Sequence, residues 1–182
     1  TGNHGRAVAH VARSVGVRAT VFVSERVPAG KLDALRETGA TLRVGGASQD
    51  EAEDTARAYA EESGAVPIPP FDHPDVIAGQ GTLGLEIVDV LPDVATVVVP
   101  LSGGGLIAGV ALALRSVAPD IRVVGVSMRE GAAMIESLAA GRIVALPEAP
   151  TLADSLQGGL GRDNRYTRRA VRELVDATVQ VD

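Results

Sequence analysis

The chain alternates short β-branched runs with longer stretches whose apolar residues recur every three or four positions. Ala7, Val8, Val11, Ala12 and Val15 share one face of a helix over 5–15, and Gly16 is its stop. Residues 19–23 read as a strand. Pro28 opens a second helical pattern with Leu32 and Leu35 on one face and Gly39 at its end, and 41–44 read as the next strand. A helix over 48–62 has Ser48 at its N-cap and Glu51, Glu53 and Asp54 near its positive end. Pro67, Pro69 and Pro70 then interrupt regular structure. Beyond them helices over 75–90, 106–117, 131–139 and 167–175 alternate with strands over 94–99, 121–126 and 178–181, and 147–161 is loop-rich.

This order predicts an α/β fold with right-handed crossovers. The run 94–99 is apolar throughout, as expected of a parallel strand covered on both faces. The proline cluster marks a domain crossing, with 1–70 forming a small domain and 71–182 a larger one.

Composition narrows the possibilities. With 46% hydrophobic and 22% charged residues, the 182-residue chain can enclose a core and is not disordered. Its longest apolar stretches, 94–101 and 106–114, are too short to span a bilayer. A formal net charge of -6 argues against nucleic acid or an anionic membrane as partner. The absence of cysteine removes disulfides and thiolate chemistry, and a cytoplasmic location is expected by default. Aromatic residues are only 2%, so base stacking is not a plausible binding mode. The single lysine, Lys31, lies in the second helical pattern and is expected on the solvated surface.

Two loops carry candidate chemistry. The apolar strand runs directly into Ser102, Gly103, Gly104 and Gly105, and a helix begins near Leu106. A strand, a turn without side-chain bulk and a helix N-terminus bring several N–H groups onto one anion, such as a phosphate. The same glycines also suit a tight βα turn that merely allows close packing. Gly103, Gly105 and Ala108 further match the G-x-G-x-x-A turn of a dinucleotide site, which would make the chain an NAD(P)-binding oxidoreductase domain. That alternative wants an acidic residue at the end of the next strand, where Ser127, Met128 and Arg129 stand and Glu130 comes late; Arg129 leaves an NADP preference open.

The second loop, TGNHG at 1–5, precedes an amphipathic helix and places a hydroxyl, an amide and backbone donors at a positive helix end. It can grip a carboxylate, or Thr1 or Asn3 can simply cap the helix. His4, His10 and His73 show no metal-ligand spacing. Arg162, Arg165, Arg168, Arg169 and Arg172 form a basic run that reads as a helix-face pattern.

Four segments in order, TGNHGRAVA at 1–9, FDHPDVIAGQGTLGLEI at 71–87, VVVPLSGGGLIAGVA at 97–111 and TLADSL at 151–156, resemble the threonine/serine dehydratases, a group that includes serine racemase. The stretch ADSLQGGLGRDNRYT at 153–167 is similar to the dehydratases of hydroxyectoine utilisation. The resemblance implies fold type II of the pyridoxal-phosphate enzymes, like the tryptophan synthase β chain. That fold has two three-layer α/β domains with mainly parallel sheets, incomplete in this chain.

It implies pyridoxal 5'-phosphate as cofactor and a β-hydroxy amino acid as substrate, dehydrated and deaminated to a 2-oxo acid and ammonia. By the same resemblance, Ser102, Gly103, Gly104, Gly105 and Leu106 cradle the cofactor phosphate, with Ser102 replacing the usual first glycine. Asn3 meets the phenolic oxygen from across an interdomain cleft, and Ser155 belongs to a loop beside the ring. Thr1, Gly2, Asn3 and His4 hold the substrate carboxylate, and Thr1 stands where serine racemase has a proton-transferring serine. Ser127 replaces the glutamate with which some relatives bind a divalent metal, so no metal is expected. The family's Schiff-base lysine lies upstream of the asparagine loop, and Lys31 does not replace it. The chain therefore reads as the middle of a longer enzyme, inactive alone and belonging to a homo-oligomer, dimer or tetramer, with no nucleic-acid or membrane partner.

Overall fold

The computed structural model describes residues 2–161 and 163–182. Thr1 and Arg162, named above as a candidate site residue and as part of the basic run, lie outside the described residues. The chain divides into two compact units, Thr1–Ile68 and Pro69–Asp182.

In the first unit, α1 (Asn3–Ser14), β1 (Thr20–Val23), α2 (Ala29–Arg36), β2 (Thr41–Val44) and α3 (Gln49–Ser63) follow in order. The two strands pair in parallel, Val21 opposite Leu42 and Val23 opposite Val44. Ala9, Val21, Val23, Val27 and Leu35 form the core, with Leu32 packed against it; of the apolar face expected for α1, Val11 and Val15 are exposed, and Ala9, outside that face, is the residue α1 buries. The Ser48 hydroxyl accepts the Glu51 amide at 3.2 Å and caps α3 as expected. Arg43 places its guanidinium 4.4 Å from the Tyr59 ring centre and 5.6 Å from that of Phe22. Those rings lie 5.4 Å apart, so much of the small aromatic content fastens α3 to the strand pair.

Two expectations about this unit are corrected. Helix α1 begins at Asn3 rather than residue 5, with Gly2 at the N-cap at φ 98° and no side-chain cap. Asn3 therefore sits inside the first turn and does not cap it. Lys31, expected in solvent, is half-buried, and its Cβ packs about the start of α1, 3.8 Å from where a Cβ on Gly2 would lie.

The second unit contains α4 (Pro74–Val90), β3 (Thr96–Pro100), α5 (Gly105–Val117), β4 (Arg122–Met128), α6 (Ala133–Ala139), a single 3-10 turn (Asp154–Leu156), α7 (Thr167–Leu174) and β5 (Ala177–Val181). Its strands are parallel in the order β3-β4-β5. Val97, Val99 and Val123 pack against Ile107, Val110 and Leu114 of α5. Helices α4 and α5 meet backbone to backbone: a Cβ on Gly109 would lie 2.3 Å from the Ile77 carbonyl oxygen, and one on Gly84 would lie 2.9 Å from that of Val110. This contact fixes the axis of α5, and with it the direction in which its first turn points.

Here too the structure amends the expectation. Strand β4 runs two residues past 126, to Met128. Within these 182 residues, Val97 and Val99 of β3 are buried on the side of α5, and Val98, on the other face, is 61% exposed. Of the basic run, Arg165 precedes α7, and only Arg168, Arg169 and Arg172 belong to that helix. Among the described residues no helix is long and apolar enough to cross a membrane.

One polar network ties the sheet to α5. Asp176 accepts the Val123 amide at 2.6 Å and the Arg115 guanidinium at 2.5 Å. Arg115 also donates to the carbonyls of Leu174, Pro119 and Ile121. The Val123 amide, with Arg115 beside it, holds the Asp176 carboxyl below the usual carboxylate range. Val123 is fully buried, so Asp176→Ala leaves its amide without an acceptor and is expected to cost about 1–3 kcal/mol in urea unfolding. Because the folded-state pKa is the lower one, this contribution is complete above the unfolded value near about 4 and is lost as pH falls through the folded value. The stability gap between wild type and Asp176→Asn should therefore be constant near neutrality and close in acid; a gap unchanged in strong acid contradicts the assignment.

Candidate functional site

Strand β3 leaves the sheet through Leu101, whose amide donates to the Val126 carbonyl at 2.7 Å. Three residues later α5 has begun, with Gly104 at its N-cap at φ 89°. The Ala108 amide donates to the Gly104 carbonyl at 2.9 Å. Between these two bonds, the amides of Gly103, Gly104, Gly105, Leu106 and Ile107 meet no acceptor among the described residues. Gly103, Gly104, Gly105 and Ile107 are buried. An unpaired buried amide costs about 1–3 kcal/mol, so a run of them at the positive end of a thirteen-residue helix calls for an anionic acceptor.

Of the two readings of these glycines, close packing is the one that accounts for their bareness. Their missing side chains do not leave space for a ligand, because protein atoms occupy it. A Cβ on Gly103 would lie 2.3 Å from Cδ1 of Phe71, and one on Gly105 would lie 2.8 Å from the Phe71 Cα. On Gly104 it would meet Met134 Cε at 2.8 Å, Thr167 Cβ at 3.1 Å and Val171 Cγ2 at 3.3 Å. The turn is thus squeezed between two protein walls that leave the amides as its free functional groups. Phe71 was given no role from sequence, although it opens one of the segments that carry the resemblance.

The hydroxyl of Ser102 donates to the Leu156 carbonyl at 2.9 Å, so its proton is used within the protein and not offered to an anion. That bond tethers the 3-10 turn, which includes Ser155, to the glycine loop. Ser155 itself is exposed, its hydroxyl 3.4 Å from Asp154 Oδ1.

In the first unit, Asn3 and His4 lie in the first turn of α1, where amides have no intrahelical partner. The His4 ring, through Nε2–H, donates to the Ile68 carbonyl at 2.8 Å, which fastens the loop to the end of that unit. Gly5 lets α1 approach β1 closely: a Cβ there would lie 2.4 Å from Cγ1 of Val21. Asn3 is exposed.

The dinucleotide alternative loses its acidic ribose partner, since β4 ends in buried Ser127 and Met128. The next residue, Arg129, pairs its guanidinium with the Asp182 carboxylate.

A parallel α/β unit with unpaired amides at a strand-to-helix turn defines a class of phosphate-binding proteins. Within that class, the chain belongs to the family described as pyridoxal-phosphate dependent enzymes, whose model matches residues 1–182. An L-threonine ammonia-lyase of Geobacter sulfurreducens is 43% identical over 181 residues, which is 100% of this chain and 44% of that protein. Among solved structures, maize serine racemase superposes with a TM-score of 0.90 at 38% identity, covering 100% of this chain and 54% of that one. A threonine deaminase isoform 2 from Solanum lycopersicum gives 0.88 at 38% identity, covering 98% and 52%. The fold is that of these enzymes, and the chain spans about half the length of the curated relatives it matches. Buried unpaired amides suit the dianionic phosphate of pyridoxal phosphate, so the residues present fit the family's cofactor.

Gly104→Ala should be destabilising by about 1–3 kcal/mol from overpacking against Met134 and Thr167 and by about 1–2 kcal/mol from the left-handed backbone, read as a lower melting temperature. Ser102→Ala should cost about 0.5–1.5 kcal/mol and speed amide hydrogen exchange around 153–157, whereas unchanged exchange there would remove the tether.

Proposed function

We propose that the full-length protein is a pyridoxal-phosphate-dependent ammonia-lyase that removes water and then ammonia from a β-hydroxy amino acid such as threonine or serine, leaving a 2-oxo acid. The observation that carries this reading is the largely buried run of amides from Gly103 to Ile107 that meets no acceptor among the described residues, in a chain of this family.

Those amides and the positive end of α5 bind the cofactor phosphate, and Ser102 contributes by holding the 3-10 turn of Ser155 at the loop's edge. Once bound, pyridoxal phosphate supplies an electron sink for the charge left at the substrate Cα. Asn3 donates its side-chain amide to the ring oxygen. Backbone donors from Gly2 to His4 hold the substrate carboxylate, and the bond from His4 to Ile68 keeps that loop in place. The Thr1 hydroxyl is assigned to proton transfer at Cα, which would allow some racemisation. The Cα–H and Cβ–O bonds break, water departs, and the enamine released hydrolyses to ammonia and the 2-oxo acid.

Proton removal needs a positioned base. Lys31 is not assigned to it, because the family resemblance puts the Schiff-base lysine upstream of the asparagine loop and Lys31 lies downstream, in α2. The 182 residues alone are therefore expected to show no turnover. The reading includes a cytoplasmic enzyme assembled as a dimer or tetramer of identical chains.

The test is product analysis of the full-length protein with pyridoxal phosphate and a panel of threonine, serine, hydroxyectoine-derived hydroxy amino acids and alanine. Equal amounts of ammonia and 2-oxo acid are expected from at least one β-hydroxy amino acid and none from alanine. No 2-oxo acid from any of them, together with tight NADPH binding, would favour the oxidoreductase alternative instead.

A further inference from the structure

Asp72, next to Phe71, has no part in the reading above. Its Oδ2 accepts the Arg165 amide at 2.6 Å, and its Oδ1 accepts the amides of Tyr166 and Thr167 at 2.9 Å each. These are the amides at the start of α7, and a carboxylate there offsets the helix dipole. Seen from α7 alone, Asp72 is a helix cap contributed by a residue 93–95 positions away.

Seen from the glycine turn, it does more. Phe71 forms the wall against Gly103 and Gly105, while Thr167, with Met134 and Val171, forms the wall against Gly104. Asp72 belongs to the first wall by its backbone and grips the second through the Thr167 amide. Asn164 reinforces that side, accepting the Arg168 amide at 2.8 Å and donating to the Thr167 hydroxyl at 2.8 Å. The carboxylate thus sets the separation of the walls, and the walls set the curvature of the turn that aims the amides.

We propose that Asp72 is a positioning residue for the cofactor phosphate: it clamps the Phe71 and Thr167 walls around Gly103–Gly105 so that the five amides converge on one point. This inference rests on the assignment of the turn to the phosphate.

The test compares binding of pyridoxal 5'-phosphate with binding of unphosphorylated pyridoxal to the full-length protein, by titration of the bound chromophore. A clamp that aims the phosphate donors affects only the first ligand. Asp72→Ala is expected to weaken pyridoxal phosphate by about tenfold or more, the equivalent of one lost hydrogen bond to a charged group, and to leave pyridoxal affinity unchanged. Asp72→Asn keeps an oxygen for the Tyr166 and Thr167 amides but turns an NH2 toward the Arg165 amide, so an intermediate loss is expected; should Asp72→Ala fail to fold, this variant carries the same comparison. Unchanged pyridoxal phosphate affinity, or an equal loss for both ligands, would overturn the clamp and leave a plain helix cap. Wild type binding the two ligands equally would instead overturn the phosphate assignment itself.

Discussion

The second unit is organised around five backbone amides, Gly103 to Ile107, most of them in buried residues, that meet no acceptor among the described residues. They exist because β3 passes into α5 without a capping side chain, and because α5 is held in place by its glycine-mediated contact with α4. An unsatisfied helix start in the interior is a standing cost, tolerated where a ligand of the right charge repays it. The phosphate of pyridoxal phosphate has that charge, and membership of the family supplies the reason to expect it.

Packing and recognition are joined at this turn through the same glycines. Their side-chain positions are occupied by Phe71 on one side and by Met134, Thr167 and Val171 on the other. A glycine-rich phosphate loop is usually described by what its bareness admits. Here the bareness admits protein, and the ligand is left with the peptide edge. Ser102 follows the same logic, since its hydroxyl is turned inward to Leu156 and couples the loop to the segment that carries Ser155.

Much of this was legible along the chain. The helix α5, the strand β2 and the Ser48 cap are local properties, set by side-chain propensity and by one hydroxyl within reach of one amide, and they appear as read; the apolar face read for α1 does not, since Val11 and Val15 are exposed and Ala9 is the residue buried. The strand-to-helix turn at Gly103–Gly105 was legible because strand, glycines and helix are contiguous. Less legible were the ends of elements: strand β4 continues to Met128, two residues past the run read for it. The role of Asn3 as a cap failed for a similar reason, because Gly2 could adopt the left-handed conformation that lets the helix begin one residue earlier than a side-chain cap allows.

By itself, the sequence determined the parallel α/β order, the position of the glycine turn and the family, since each depends on neighbours within a few residues or on motifs quoted whole. Only the tertiary structure decided what fills the space beside Gly103–Gly105, where the Ser102 proton goes and why Asp72 matters. Those depend on residues 30 to 95 positions apart meeting at one turn, and no local pattern encodes such a meeting.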